Sequence, residues 1–62
     1  MKPGDKVEVN QVWAGGLIPL RSWFKGYELV RTEGANAIVK HTEGMYKSID
    51  VRYPVVDVRP VP

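Results

Sequence analysis

The residues of this chain that could take part in acid–base chemistry are its carboxylates. Asp5 and Glu8 flank the first predicted turn and strand, and Asp50 and Asp57 lie near the last ones. Acid–base catalysis needs two carboxyls held in different environments around one pocket. Charged residues that alternate with apolar ones along a strand are typically solvated surface. We therefore expect no catalytic residues, and we expect that the chain is not an enzyme.

The single histidine, His41, is expected to be an ordinary strand-end residue. No serine–histidine–aspartate order, phosphate-binding glycine loop or second histidine accompanies it. The chain has no cysteine, which rules out a disulfide framework and a thiolate metal site. We expect no metal and no cofactor.

Aromatic and basic residues are the better candidates for binding. The chain has two tryptophans, three tyrosines and one phenylalanine in 62 residues. An aromatic ring can hold a cation or stack on a base, but it can also fill the core of a small domain. We assign Phe24 and Tyr53 to the core. We predict a ligand-binding rim made by Trp13, Arg21, Trp23, Lys25, Tyr27 and Tyr46.

The apolar segment that follows Gly15-Gly16 is a second candidate surface. If its side chains are exposed, they form the kind of apolar patch that marks a protein interface. The alternative is that they cover one end of the core. Because small domains often gain stability by oligomerising, a homodimer and docking onto a larger complex both stay open. The predicted interface residues are Leu17, Ile18 and Leu20.

The elements that must position these residues are short β-strands. Strand-like patterns cover residues 6–12, 23–32, 37–41, 46–53 and 58–59. Gly26 inside the second strand predicts a bulge, and Pro54 to Asp57 predict a one-turn helical corner. A chain of this length is too short for a two-sheet sandwich. The pattern therefore predicts an all-β fold, one five-stranded barrel over residues 1–62.

Three short motifs resemble those of one known group of domains. They are Gly4-Asp5-Lys6-Val7-Glu8-Val9, Ser22-Trp23-Phe24, and Val58-Arg59-Pro60 after the corner. Together they resemble the SH3-like barrels of the Tudor and Agenet group, whose superfamily also holds KOW modules. The resemblance implies an SH3-like barrel that binds a ligand. In Tudor-type barrels, aromatic residues at one rim hold a methylated lysine or arginine.

The charge and hydropathy of the chain indicate which partners and which compartment to expect. The net charge is +2 with both signs interspersed, and no concentrated basic stripe is visible. We predict a non-catalytic interaction module for a protein or peptide partner. The alternatives are a nucleic-acid-binding module of KOW or Tudor type and a small docking subunit of a larger complex.

No apolar run approaches the roughly 20 residues that span a bilayer, and no export signal is visible, so we expect a soluble cytoplasmic chain without a membrane partner.

Overall fold

The computed structural model describes residues 1–13 and 20–62, except for the side chain of Trp13. All five strands belong to one antiparallel sheet, in the spatial order β4-β3-β2-β1-β5. The all-β prediction is confirmed, although no ladder joins β4 to β5 within the described ranges. No helix among those residues is long and apolar enough to cross a membrane. The strands are β1 Lys6–Trp13, β2 Leu20–Glu33, β3 Asn36–His41, β4 Asp50–Pro54 and β5 Val58–Pro60.

The sheet is strongly curled, although it is open. A one-turn 3-10 helix, Val55–Asp57, is the whole connection between β4 and β5, which are the two edges of the sheet. The four Cα–Cα steps from Pro54 to Val58 reach about 14 Å even when extended. The two edges therefore approach each other at this end. The predicted corner before the last strand is confirmed.

The hydrophobic core lies on the concave face of the curled sheet. Val7 and Val9 alternate along β1 with polar residues and are completely buried. Phe24 and Tyr53 are partly buried and pack against the core, which confirms their assignment. The buried cluster consists of Val7, Val9, Tyr27, Leu29, Ala37, Val39 and Val58.

A β-bulge at Gly26 shifts the pairing between β1 and β2. Val7 pairs with Tyr27 and Val9 pairs with Phe24, so two residues of β2 oppose one residue of β1. Gly26 has a φ of +97°, a conformation that glycine adopts without steric cost. The bulge lets Phe24 and Tyr27 face the core although they are three positions apart. It confirms the bulge predicted at this glycine.

The predicted fourth strand began four residues too early. Residues 46–49 belong to a loop that follows β3, and β4 begins at Asp50. Turn hydrogen bonds hold this loop: the Lys47 N–H donates to the Gly44 carbonyl and the Ile49 N–H donates to the Tyr46 carbonyl. Ser48 has a φ of 70°, which breaks the extended backbone. We call residues 42–49 the β3–β4 loop.

The first two strands are longer than predicted and form a projecting arm. β1 continues to Trp13 and β2 begins at Leu20, whereas the sequence patterns end at residue 12 and start at residue 23. The ladder from β5 ends at Val9, and the ladder from β3 ends at Tyr27. Residues 10–13 and 20–23 therefore pair only with each other among the described strands, and we call them the β1–β2 arm.

Candidate functional site

The predicted ligand-binding residues lie on both faces of the sheet. Tyr27 is buried on the concave face, where it pairs with Val7 and His41. Val9 pairs with Phe24, and both face the core. The next pair is Asn10 with Trp23, so Trp23 lies on the other, outer face of the sheet. A regular strand would place residues 23 and 27 on the same face. The bulge at Gly26 changes that parity.

The remaining predicted site residues are spread over the arm and beyond it. Arg21 lies on the outer face of the arm, opposite Val12, and Lys25 is exposed in the bulge. Leu20 is 56% exposed at the start of β2. Leu17 and Ile18 lie outside the described residues, as does the side chain of Trp13. Of the predicted rim, the structure brings together Tyr27 and Tyr46.

Three rings in tilted contact connect the core to the surface of the β3–β4 loop. The Tyr27 and His41 ring centroids are 4.6 Å apart, and those of His41 and Tyr46 are 5.8 Å apart. Tyr27 is buried, whereas Tyr46 is 59% exposed. We call this row of Tyr27, His41 and Tyr46 the aromatic ledge. The exposed Tyr46 ring contacts His41, which in turn contacts the buried Tyr27.

Backbone hydrogen bonds attach the β3–β4 loop to the ledge. The Ser48 N–H donates to the His41 carbonyl at 2.8 Å, and the His41 N–H donates to the Ile49 carbonyl at 3.2 Å. The Thr42 N–H donates to the Gly26 carbonyl at 2.9 Å, which connects the loop to the β2 bulge. These three bonds fix the backbone on both sides of Tyr46.

Two further apolar side chains of the same loop are exposed beside Tyr46. Met45 is 87% exposed and Ile49 is half exposed. Large apolar side chains that gather on a surface mark a binding site more often than scattered ones do. The sequence prediction missed both residues, because it placed Met45 in a turn and Ile49 in a strand. The available signal was a turn that contains large apolar residues where polar ones are usual.

A glutamine joins two tyrosines on the concave face. Gln11 Nε2 donates to the Tyr27 hydroxyl at 3.1 Å, and the Tyr53 hydroxyl donates to Gln11 Oε1 at 3.3 Å. The Tyr27 and Tyr53 rings meet edge to face, with centroids 6.2 Å apart. This network links β1 to β4 across the concave face. Gln11 was not predicted, although its position two residues after Val9 puts a polar side chain on an apolar face.

The Tyr53 hydroxyl should make stability depend on alkaline pH. Burial and the neighbouring Tyr27 phenol raise the pKa of Tyr53 to about 12. In the unfolded chain the pKa is about 10, so above pH 10 the unfolded state loses this proton first. The stabilisation is therefore complete below pH 10 and is lost as the pH rises towards 12.

We expect Tyr53→Phe to remove this part of the pH dependence. Urea denaturation at intervals between pH 9 and pH 12 should show a steeper loss of unfolding free energy for the wild type than for the variant. Equal slopes would contradict the raised pKa. The offset between the two curves at pH 9, below the pKa of Tyr53 in both states, reports the lost hydrogen bond to Gln11, which is about 1 kcal/mol for a typical bond.

The outer face carries a separate cluster of three residues. Glu8 is only 5% exposed, and its Oε1 lies 2.5 Å from Arg59 Nε. The Arg59 guanidinium carbon lies 3.9 Å from the centroid of the Trp23 ring, which is a cation–π contact. Trp23 is therefore engaged by a residue of its own chain, and this cluster joins β5 to the β1–β2 hairpin.

Four ion pairs engage several of the charged side chains among the described residues. No three His, Asp or Glu side chains of these residues lie together as a metal site requires. Several exposed cations are already paired: Arg31 and Arg52 with Glu33, and Lys40 with Glu28. Comparison with known protein families, characterised proteins and solved structures finds no match to this chain. Its function must therefore be inferred from the geometry of the site.

Proposed function

We propose that this chain is a non-catalytic interaction module that binds a protein or peptide segment at the aromatic ledge. The observation that carries the proposal is Tyr46, an exposed ring that contacts His41, in a loop that also exposes Met45 and Ile49. Tyrosine is enriched among residues that dominate binding energy. Methionine adapts its shape to different apolar partners. The surface suits a segment with an aromatic or aliphatic anchor residue.

We propose further that the fold is an SH3-like barrel of the Tudor, Agenet and KOW kind. Support comes from the five strands, the three-residue 3-10 connection between the sheet edges, and the Tyr53–Gln11 bond across the concave face. A barrel of this kind presents its loops around one end. The β3–β4 loop is such a loop, and its bond to the β2 bulge gives the ledge a firm base.

Charged side chains of both signs lie near the ledge. Lys47 and Glu43 of the β3–β4 loop are exposed, as is Asp50 directly after it. Lys25 is exposed next to Gly26, whose ideal Cβ position lies 3.3 Å from the Glu43 carboxylate. The two lysines would attract a carboxylate of the bound segment and the two carboxylates would attract a cation, so these charges would orient the segment.

A peptide accounts for this surface better than a nucleic acid does. Single strands are held by a groove of cations that follows the backbone. Here four basic side chains pair with carboxylates of the same chain, namely Arg31, Lys40, Arg52 and Arg59. Met45 and Ile49 offer neither stacking faces nor hydrogen-bond donors. A salt titration with oligonucleotides distinguishes the nucleic-acid alternative from peptide binding.

Tyr46→Ala is expected to weaken peptide binding at least tenfold. Peptides would be selected from a random display library on the wild-type protein, and their Kd would be measured by fluorescence titration. Removing a central aromatic anchor commonly costs 2 kcal/mol or more, and every 1.4 kcal/mol is about tenfold in Kd. Because Tyr46 is 59% exposed, the variant should remain folded. The matched control is Val56→Ala, at an 81% exposed residue outside the ledge, with Kd within twofold.

Equal Kd values for the wild type and Tyr46→Ala would contradict the ledge as the binding site. The same titration with oligonucleotide pools separates the alternative function. Binding to phosphates weakens steeply as salt rises, whereas contact with an apolar ledge changes little. If only oligonucleotides bind, and salt removes them, the peptide-binding proposal is wrong.

A further inference from the structure

The β1–β2 arm leaves two strand edges without a partner among the described strands, one on β1 and one on β2. Asn10–Trp13 of β1 pair with β2 on one side, and the ladder from β5 on the other side ends at Val9. An edge of this kind presents backbone N–H and C=O groups that another strand can pair with. A two-stranded ribbon is also marginally stable by itself, so the arm gains from a third strand.

The other strand edges carry charges or prolines, including the β2 edge with Arg21 on the arm and Lys25 just beyond it, and the β1 edge of the arm does not. Proteins discourage pairing at an edge with charged residues and prolines. β4 carries Asp50, Arg52 and Pro54, and β5 carries Arg59 and Pro60. By contrast, residues 10–13 are Asn, Gln, Val and Trp, and no charged residue occurs between Glu8 and Arg21. The contrast marks the β1 edge as a surface for pairing.

We propose that a second copy of this chain pairs with this edge, so that two β1 strands run antiparallel across a two-fold axis at Val12. Antiparallel pairing of one segment with itself is self-complementary, as a two-fold dimer requires. β5 already occupies the edge as far as Val9, so the new ladder begins at Asn10 or later. A continuous sheet also requires opposite residues to share a face. These two conditions allow an axis at Gln11 or at a later residue. We place it at Val12 because that register covers the exposed valine with its own equivalent, and Gln11 then lies opposite Trp13 of the other copy.

Charge and exposure suit a second copy in this register. Val12 is 49% exposed, and the pairing would cover it with its own equivalent. Arg21 is the charged residue next to Val12, on β2. The two Arg21 residues of a dimer would lie three strand spacings apart, about 14 Å, which exceeds the Debye length of about 8 Å at physiological salt. Like charges therefore do not oppose the pairing.

The proposal is independent of peptide binding at the aromatic ledge. Val12 lies on the outer face, on the arm, whereas Tyr46 lies on the β3–β4 loop and contacts His41, which in turn contacts the concave-face Tyr27. A change at Val12 leaves the ledge in place. Loss of dimerisation with retained peptide binding can therefore be told apart from failure of the proposed function.

Sedimentation equilibrium of the whole chain tests the dimer. The wild type should sediment as a dimer at micromolar to millimolar concentration, with little dependence on salt. Val12→Lys, which places two ammonium groups at the axis, should weaken the dimer at least tenfold. Val56→Lys is the matched control: Val56 is also an exposed valine, outside the arm, and the dimer constant should change less than twofold. A monomeric wild type would overturn the proposal. So would an effect of Val56→Lys as large as that of Val12→Lys.

A cysteine cross-link tests the register without relying on a disrupted interface. The chain has no cysteine, so Val12→Cys introduces its only thiol. Residues opposite each other in an antiparallel pair have Cα atoms about 4.5–5.5 Å apart, which a disulfide can bridge. Mild oxidation should convert most of Val12→Cys to a covalent dimer and leave the control Val56→Cys mainly monomeric. Equal cross-linking of the two variants would contradict the axis at Val12.

Discussion

Arg59→Met is expected to lower the free energy of unfolding by about 3 kcal/mol. The methionine keeps much of the arginine's apolar stem but leaves the buried Glu8 carboxylate without its cation. Removing one partner of a buried ion pair costs about 3–5 kcal/mol. Arg59 is itself half exposed, which puts the expected value at the lower end. The variant also loses the cation–π contact with Trp23. Urea denaturation at neutral pH measures the change.

Two matched variants separate the buried pair from general effects of losing an arginine. Arg52→Met removes an arginine of similar exposure whose partner, Glu33, is itself exposed, and exposed pairs contribute about 1 kcal/mol or less. Adding Glu8→Gln to Arg59→Met removes the unpaired charge and should restore at least half of the lost stability. If Arg59→Met costs no more than Arg52→Met, the Glu8–Arg59 pair does not stabilise the fold as we describe.

Gly26→Val is expected to destabilise the protein by about 2–3 kcal/mol. A β-branched residue at a positive φ is strained, and residues held in such conformations cost roughly 1–3 kcal/mol. The new Cβ would also lie 3.3 Å from the Glu43 carboxylate, so that side chain must move by a few tenths of an ångström. Thermal and urea denaturation give the change. Unchanged stability would contradict the bulge geometry.

The same substitution connects the fold to the proposed function. The Gly26 carbonyl accepts the hydrogen bond from Thr42, one residue after the ring of His41 in the ledge. Gly26→Val should therefore weaken peptide binding several-fold in the fraction that is folded. Gly34→Val is the matched control, because Gly34 also has a positive φ but its added Cβ meets open space. It should cost stability and leave the Kd unchanged.

Local sequence signals predicted the structural features that depend on only a few neighbouring residues. A glycine within a strand indicated the bulge, and a proline before a short closing strand indicated the corner. The alternation of Val7 and Val9 with polar residues indicated the buried face of β1. Each of these signals acts through backbone sterics or side-chain periodicity, and the structure contains each feature.

The arrangement of the candidate site depended on contacts that no local pattern encodes. The bulge inverted the parity of β2, so that Trp23 and Tyr27 lie on opposite faces instead of one rim. The apolar alternation predicted a strand over residues 46–53, but the positive φ of Ser48 breaks the extended backbone, so that β4 begins only at Asp50. A serine gives little warning of that conformation. The ledge joins rings from β2, β3 and the β3–β4 loop, a proximity set by strand pairing and loop hydrogen bonds.

Chemical-shift mapping of the ¹⁵N-labelled protein tests whether the aromatic ledge binds a protein or peptide segment. The protein would be titrated with a selected peptide in one series and with an oligonucleotide pool in another. We predict that the peptide shifts the amide signals of Met45, Tyr46 and Ile49 most, with further shifts at His41, and that Val56 does not move. Shifts confined to other surfaces, or caused by the oligonucleotides alone, would contradict peptide binding at the aromatic ledge.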